Sequence, residues 1–369
     1  MRPLEGLLVL DFSTLLPGPM ATLILAEAGA EVVKIERPGG EDMRRYRPRW
    51  GRDSAAFALL NRGKGSLVLD LKDEADRARL MRLAERADVL VEQFRPGVMD
   101  RLGLGYEALS AVNPRLIYCA ITGYGQDGPK RDVAGHDLNY IGDAGLLSLS
   151  AGPPEQPVVP PALIADIAGG AYPAVINILL ALQERARTRR GRRLDVAMTE
   201  NVLPFAFWAL GAGFATGRWP GSGTDLLTGG TARYRLYPAR DGRLVAVAAI
   251  EQKFWDTFCD IVGLEPALRD DSRDPAATIA AVAALVARET GEAWARRFAD
   301  RDCCCSVVAS LDEAVADPHF RARGVFGHVL ARADGATMPA LPVPVDPAFR
   351  GPAGAPVAAP ALGAHDADY

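Results

Sequence analysis

The chain has 369 residues, more than one hydrophobic core usually serves, so its length favours two domains. Apolar residues make up 49% of the chain and charged residues 24%, which is typical of globular proteins and excludes a disordered or fibrous one. The net charge of -4 is small, so we expect no nucleic-acid partner and no anionic membrane surface as a partner.

The N-terminus and the cysteines favour a cytoplasmic protein. Glu5 precedes any long apolar stretch, so no signal peptide is expected. The apolar stretches 171–182 and 202–215 are interrupted by Pro, Asn or Gly, and neither is expected to span a membrane. The five cysteines form no CxxC pair, which indicates a reducing compartment. The run 303–305 is predicted to be small buried residues on a strand, and no metal site is expected.

The first part of the chain alternates between strand and helix patterns. Repeated βα alternation predicts a parallel sheet with helices on both faces, and therefore a Rossmann-like α/β domain. The first strand-to-helix turn contains Pro17–Pro19 and lacks GxGxxG, so no NAD site is expected. The strand patterns span 7–12, 31–36, 66–71, 88–91 and 115–122, and the helix patterns span 21–28, 73–86 and 106–112.

The second part of the chain indicates a smaller α+β domain. A long helix is predicted from about 166 to 187; its basic C-terminal run is interpreted as a solvated cap, with a phosphate site as the less favoured alternative. A strand at 194–198, a helix at 202–215 and a Gly-rich linker at 217–230 follow. Asp241 and Gly242 predict a hairpin between strands at 233–238 and 243–250, and helices are predicted at 252–262, 275–288 and 292–299.

These patterns predict four parts of the chain. The segment beyond 341 is rich in Pro, Ala and Gly and is expected to be irregular. The parts are a large Rossmann-like domain at 1–198, a linker helix and loop at 199–230, a small α+β domain at 231–320, and a C-terminal segment at 321–369 that returns to the large domain.

Two residues stand out as candidates for chemistry. His136 follows the strand 115–122 and its glycine-rich loop, at the end of a parallel strand where α/β sheets bind ligands. Asp166 opens a helix just before two glycines, which could admit a ligand close to the backbone. From position alone, a structural histidine and an N-capping aspartate remain the favoured alternatives.

Several motifs, in order between residues 4 and about 330, resemble the family III CoA-transferases. The segments 135–140 and 249–254, which contain His136 and Glu251, resemble the α-methylacyl-CoA racemase branch of that family. The shared motifs lie at 4–6, 9–11, 17–19, 29–38, 61–64, 69–72, 94–98, 123–129 and 165–170.

The resemblance implies epimerisation of a 2-methylacyl-CoA by α-proton exchange through an enolate. His136 and Asp166 would be the opposed acid–base pair, Glu251 would orient His136, and N–H groups at the helix start after Asp166 would stabilise the enolate oxygen. True transferases of the family use the matching aspartate as a nucleophile that forms an acyl anhydride, so CoA transfer is the main alternative. A non-catalytic CoA-binding subunit is the second alternative.

The resemblance also implies the ligand contacts and the assembly. No cofactor is expected beyond the coenzyme A of the substrate, which the large domain would bind. Its phosphates call for cationic side chains. Arg37 and Arg95 match family positions near CoA, Arg62 and Lys64 are weaker candidates, and Tyr140 is included in the set. An interlocked homodimer is implied, with the active site where one subunit's large domain meets the partner's small domain.

Overall fold

The computed structural model describes residues 2–153, 155–160 and 162–369. Its strands are β1 Leu8–Asp11, β2 Glu31–Glu36, β3 Arg49–Trp50, β4 Asp53–Ser54, β5 Gly65–Val68, β6 Val89–Glu92, β7 Ile117–Thr122, β8 Arg193–Ala197, β9 Tyr234–Pro238, β10 Leu244–Ala248, β11 Cys305–Val307, β12 Val329–Ala331, β13 Thr337–Pro339 and β14 Pro356–Val357.

The α-helices are α1 Pro17–Glu27, α2 Ala55–Asn61, α3 Glu74–Arg86, α4 Val98–Arg101, α5 Tyr106–Val112, α6 Asp137–Asp143, α7 Leu147–Ser150, α8 Tyr172–Thr188, α9 Met198–Asn201, α10 Phe207–Thr216, α11 Gln252–Val262, α12 Pro275–Val286, α13 Gly291–Phe298, α14 Leu311–Ala316 and α15 Pro318–Ala322. A π-helical segment, Ala165–Ala171, leads directly into α8. The 3-10 turns are Asp42–Arg45, Leu203–Ala206, Leu226–Thr228, Pro266–Leu268 and Pro347–Phe349.

The chain forms two compact units. The first contains Met1–Ala144, Ala162–Pro204 and Asp317–Tyr369, and the second contains Gly145–Pro161 and Phe205–Ala316. Both units are therefore discontinuous in sequence, because the segment after α6 belongs to the second unit.

The first unit is built on a parallel sheet with the strand order β5-β2-β1-β6-β7-β8. The pairs β1–β2 and β1–β6 run in the same direction, so Val9 lies between Val32 and Val89. Leu10 and Leu90 are fully buried in the core between this sheet and its helices. Strands buried on both faces are what the near-continuous apolar runs predicted. The predicted mixed α/β fold with a parallel sheet is confirmed.

The C-terminal residues lie along β5, which is an edge strand of this sheet. The N–H of Ser66 donates to Nδ1 of His365 at 3.2 Å, and the N–H of Val68 donates to Asp366 at 2.8 Å. The hydroxyl of Tyr369 donates to Glu31 on the next strand. Side chains of the tail thus take hydrogen bonds that a further strand would otherwise accept.

The stretch Ala165–Thr188 is continuous and long. By length and composition alone it is apolar enough to cross a membrane, which was not expected for 171–182. One such stretch does not distinguish a membrane helix from a core helix. Its inner face packs in the first unit, since Ala174 and Ile178 are fully buried. Its outer face carries exposed apolar side chains, namely Ile176, Leu179 and Leu180.

The second unit has its own sheet and core. Strands β11, β10 and β9 form an antiparallel sheet in that order, and the predicted turn at Asp241 and Gly242 joins β9 to β10. Gly242 has φ +82°, the left-handed conformation that favours glycine. Helices α11 and α13 place Trp255 and Trp294 in the core of this unit.

Glu92, at the end of β6, is buried and unpaired with a cation among the described residues, and its carboxylate accepts the N–H of Phe94 at 2.7 Å. Burial raises its pKa from 4.5 to about 7. The folded state therefore binds this proton more tightly than the unfolded chain, and stability falls as pH rises from about 4.5 to about 7.

We expect Glu92→Gln, which keeps the acceptor and removes the charge, to raise the free energy of unfolding at pH 8 by about 1 to 3 kcal/mol. At pH 4 the gain should vanish, because the wild-type carboxyl is then neutral. Urea unfolding at both pH values measures the difference. Exposed Glu85→Gln is the matched control and should change little at either pH. Equal stability of Glu92→Gln and wild type at pH 8 would contradict the prediction.

Candidate active site

A cavity of about 520 Å³ opens at the carboxyl ends of four strands of the first unit. It lies below the loops that follow β1, β6, β7 and β8, where the strand order changes direction between β1 and β6. Open α/β sheets bind their ligands at such a switch point. The cavity brings together four of the predicted site residues, which are His136, Asp166, Arg95 and Tyr140.

His136 is exposed and immediately precedes α6, as its N-cap residue. Its backbone N–H donates to Oδ1 of Asn139 at 3.1 Å, which fixes the entry into the helix. The loop before it is shaped by Tyr140, whose hydroxyl donates to the carbonyl of Gly135. A Cβ at Gly123 or Gly135 would lie 2.4 or 2.7 Å from the Tyr140 ring, so these positions require glycine.

Asp166 lies inside the first turn of the π-helical segment, and the N-cap position is Ile164. The expectation of an N-capping aspartate is therefore wrong. The two glycines also have a different role from the expected one. A Cβ at Gly169 would lie 2.5 Å from the carbonyl oxygen of Met198, and one at Gly170 would lie 3.0 Å from Pro17. They admit neighbouring protein segments rather than a ligand.

The electrostatics of Asp166 suit proton transfer. Its pKa is raised from 3.8 to about 6: burial is the largest cause, the nearby charge of Asp137 acts in the same direction, and His136 opposes both. A carboxyl that ionises near pH 6 can take and return a proton close to neutral pH. The backbone N–H of Asp166 donates to Oδ1 of Asp137 at 2.9 Å, and the N–H of Ile167 donates to Leu163. These two N–H groups are thus occupied, contrary to the expected oxyanion site.

A second cavity of about 440 Å³ contains Arg37 and lies along the same edge of the sheet. The side chain of Arg37 is exposed and contacts Asp42 at 2.9 Å. Both cavities are lined by Leu15 and Phe94, so they adjoin each other. Leu15 has φ +60°, and its N–H donates to buried Glu41 at 3.0 Å. Nothing in the sequence pattern singled out this loop conformation.

Arg62 and Lys64 do not reach either cavity, and their assignment to coenzyme A is corrected. Arg62 is 2% exposed, and its guanidinium contacts Glu27 at 2.7 Å. Lys64 is buried, and its ammonium contacts Asp11 at 3.0 Å. Their charges are matched inside the first unit, so neither is free to bind a phosphate.

Glu251 belongs to the second unit, where it is the exposed residue before α11. Its role beside His136 stays a prediction. In the cysteine run, Cys303 is buried, Cys304 is exposed with φ +50°, and only Cys305 lies on a strand. The predicted three-residue strand is therefore wrong, because the chain turns at Cys304.

Asp137 was not singled out by the sequence-based argument. It is 6% exposed and sits directly after His136 in a stretch that resembles a family motif. Its position next to His136 in that stretch was the available signal, but its contact with the segment that carries Asp166 is set by tertiary packing.

Comparison with known proteins places this geometry in context. The model of CoA-transferase family III matches residues 4–366. Human alpha-methylacyl-CoA racemase is 37% identical over 332 residues, covering 88% of this chain and 82% of the relative. Acetyl-CoA:oxalate CoA-transferase of Acetobacter aceti is 40% identical over 276 residues, covering 73% of this chain and 69% of that relative. The crystal structure of a CAIB/BAIF family protein from Brucella suis superposes with a TM-score of 0.81 at 28% identity, covering 100% of this chain and 98% of that protein.

Proposed function

The chain belongs to CoA-transferase family III, and from this premise we propose that it epimerises 2-methylacyl-CoA thioesters by exchanging the α-proton. It is an enzyme of that family, and its relatives include both a racemase and CoA-transferases. The observation that carries the proposal is that His136 and Asp166 line one cavity, with the pKa of Asp166 raised to about 6.

The chemistry requires two proton-transfer groups and an anion site. A proton next to a thioester is weakly acidic, so a base must remove it on one face and a conjugate acid must return one on the other. His136 and Asp166 are the two groups in the cavity that suit these roles. Asp166, ionised above about pH 6, removes the proton of one enantiomer, and His136 removes that of the other.

The enolate oxygen needs hydrogen-bond donors. The N–H of Asp166 already donates to Asp137, so the donors come from elsewhere. In the first turn of α6, the N–H groups of Asn139 and Tyr140 donate to the carbonyl of His136, whereas those of Asp137 and Leu138 have no acceptor among the described residues. We propose that the first turn of α6 supplies these donors.

The two adjoining cavities suit a long thioester. The thioester and acyl group would occupy the cavity of His136 and Asp166, and the nucleotide end of coenzyme A would occupy the cavity of Arg37. Arg95 follows Phe94 of the wall shared by the two cavities; it is exposed and free of ion pairs among the described residues, so it can meet a phosphate where the pantetheine arm joins the nucleotide end. The pantetheine arm would cross the shared wall at Leu15 and Phe94.

CoA transfer is the second candidate, favoured by the 40% identity to the acetyl-CoA:oxalate CoA-transferase. Here the Asp166 carboxylate would attack the thioester carbon, release the CoA thiolate and form a mixed anhydride. The thiolate would then attack the aspartyl carbonyl of the anhydride, which releases the first acyl group as a free acid and leaves an aspartyl-CoA thioester. The incoming carboxylate would displace the thiolate from that thioester and form a second anhydride. Attack of the thiolate on the incoming acyl carbon would then give the new CoA ester and free the Asp166 carboxylate. His136 has no necessary part in this route.

Incubation of the enzyme with 2-methylbutanoyl-CoA or 2-methyldecanoyl-CoA in deuterium oxide separates the two candidates. Epimerisation predicts deuterium at the α-carbon and a mixture of enantiomers from a pure one, measured by mass spectrometry and chiral chromatography. Transfer predicts no exchange, and new CoA esters when oxalate, succinate or another carboxylate is added. Absence of exchange with both substrates, together with CoA passing to an added acid, would replace the epimerase proposal by the transferase.

We further propose that a second copy of the chain covers the outer face of α8. Ile176, Leu179 and Leu180 are 56%, 42% and 63% exposed there, and the resemblance to this family implies a homodimer. Burying these side chains against an equivalent surface would stabilise the pair.

We expect Leu180→Glu to shift the protein toward monomer, because a carboxylate would be desolvated at the interface. Light scattering after gel filtration measures the mass. Ala111→Glu, which adds the same charge at an exposed position of α5, is the control and should leave the mass unchanged. A wild-type monomer would contradict the dimer proposal, and binding of the wild type to lipid vesicles would favour a membrane role for this helix.

A further inference from the structure

Asp137 connects the two segments that carry the proposed proton-transfer groups. It is the first residue of α6, next to His136, and its carboxylate accepts the backbone N–H of Asp166 at 2.9 Å. The two residues are 29 positions apart in the chain. The side chain of the residue that directly follows His136 thus holds the backbone of Asp166 in place.

We propose that Asp137 is a positioning residue that fixes the spacing of His136 and Asp166 and sets the basicity of Asp166. The inference rests on the proposed function, because it concerns the same pair of groups. Asp137 touches neither substrate nor reacting atoms in this scheme; it acts through its neighbours.

The positional part follows from the hydrogen bond that joins the two segments. The entry into α6 is fixed by the bond from the His136 N–H to Asn139 and by Tyr140 on Gly135. The carboxylate of Asp137 extends this fixed unit to the π-helical segment. A displacement of about 1 Å between reacting groups can cost a hundredfold in rate, so one such bond matters.

The electrostatic part follows from the burial of Asp137. Its side chain is 6% exposed, and among the described residues it has no cationic partner in a salt bridge. A like charge close to a second carboxyl disfavours ionisation of that carboxyl. Besides burial, which is the largest cause, the groups that act on Asp166 are Asp137, which raises its pKa, and His136, which lowers it. The pKa of Tyr140 is raised mainly by burial and also by Asp166, and Arg95 lowers it.

The other elements packed on the π-helical segment offer no competing charge at the glycine face. Helix α1 presents Pro17 there, and α9 presents Met198. Strand β8 also packs on this segment, and the charged residues of α1, α9 and β8, namely Glu27, Glu200, Arg193 and Asp195, are not among the groups that shift the pKa of Asp166. Removal of the Asp137 charge should therefore lower the pKa of Asp166 directly.

The test compares the pH dependence of deuterium exchange in Asp137→Asn, Asp137→Ala and wild type. The substrate is the 2-methylacyl-CoA enantiomer that still exchanges when His136 is replaced by Gln, because Asp166 is then the base. In wild type, kcat/KM should fall below about pH 6, where Asp166 becomes protonated.

Asn at position 137 keeps an acceptor for the Asp166 N–H but carries no charge. We expect the acid limb of the profile, which is the fall of kcat/KM at low pH, to move down by about one pH unit or more. At higher pH, where the rate no longer changes with pH, kcat should stay within about tenfold of wild type. Ala removes both the charge and the acceptor, so kcat should fall about a hundredfold. Asp132→Asn, whose side chain is 78% exposed, is the matched control and should match wild type.

Asp137→Glu guards against a variant that fails to fold, since it keeps the charge and displaces the carboxylate. It should retain the acid limb near pH 6 and lose kcat. Circular dichroism checks that each variant is folded. An unchanged limb in Asp137→Asn, or an unchanged kcat in folded Asp137→Ala, overturns the inference while leaving the proposed function intact. If wild type exchanges neither enantiomer, the proposed function itself fails.

Discussion

Replacing Asp166 with Asn is expected to lower kcat/KM for inversion at the α-carbon by about 1,000- to 10,000-fold. Asn has nearly the same shape as Asp but cannot take up the substrate proton. Inversion needs both a base and an acid, so it is lost in both directions. The enantiomer whose C–H bond faces His136 should nevertheless exchange its proton with solvent deuterium, because that step uses the imidazole alone.

His136→Gln is the complementary variant. It should also lose inversion, but it should exchange the opposite enantiomer, since Asp166 remains as base. The measurement uses the two pure enantiomers of a 2-methylacyl-CoA in deuterium oxide, with deuterium and enantiomer ratio followed over time. If each variant loses exchange of a different enantiomer, the imidazole and the carboxylate lie on opposite faces of the substrate carbon.

Asp132→Asn is the control for both variants. Its side chain is 78% exposed, and it lies on the loop that leads to His136. It should behave as wild type. If Asp166→Asn removes exchange of both enantiomers while His136→Gln removes neither, a two-base mechanism is contradicted. Loss of CoA transfer in Asp166→Asn alone would then support the anhydride route.

Replacing Lys64 with Ala is expected to lower the free energy of unfolding by about 3 to 5 kcal/mol, the cost of breaking a buried ion pair on one side. Burial lowers the pKa of Lys64 to about 8, so the ammonium remains charged at pH 7. Burial would raise the pKa of Asp11, but Lys64 and Lys34 outweigh it and hold this pKa well below its ordinary value. The Ala variant therefore leaves a buried carboxylate with only part of its compensation.

Urea unfolding at pH 7, followed by circular dichroism, measures the loss. Exposed Lys72→Ala is the matched control and should change stability by no more than about 0.5 kcal/mol. The double variant Lys64→Ala with Asp11→Asn should recover part of the stability, because it also removes the unpaired charge. A single Lys64→Ala variant that unfolds within 1 kcal/mol of wild type would show that this ion pair has little structural importance.

The sheet could be predicted from sequence because apolar periodicity is local. The predicted strand 31–36 and the predicted helices 106–112 and 252–262 have the observed bounds. Parallel strands buried on both faces carry apolar runs that can be recognised in the local sequence. The π-helical segment at Asp166 was predicted as an ordinary helix start, since a widened turn depends on tight packing against Met198 and Pro17 rather than on its own residues.

The cavity could be placed from sequence, but not all of its contacts. His136 follows a parallel strand, and that position alone located it at the ligand-binding edge. Arg62 and Lys64 were misassigned because a basic residue in a motif looks the same whether it faces solvent or a buried acid. Their partners, Glu27 and Asp11, lie 35 and 53 positions away. Such pairings are set by tertiary packing.

The contacts of the final residues with β5 bear on how the protein is handled. An unpaired strand edge is a template for another chain, and here His365 and Asp366 occupy the donors of Ser66 and Val68. Deleting these residues, or displacing them with a rigid fusion after Tyr369, would expose the edge of β5 and allow it to pair with another molecule. A purification tag should therefore be attached through a flexible linker that preserves the hydrogen bonds of His365 and Asp366 to β5.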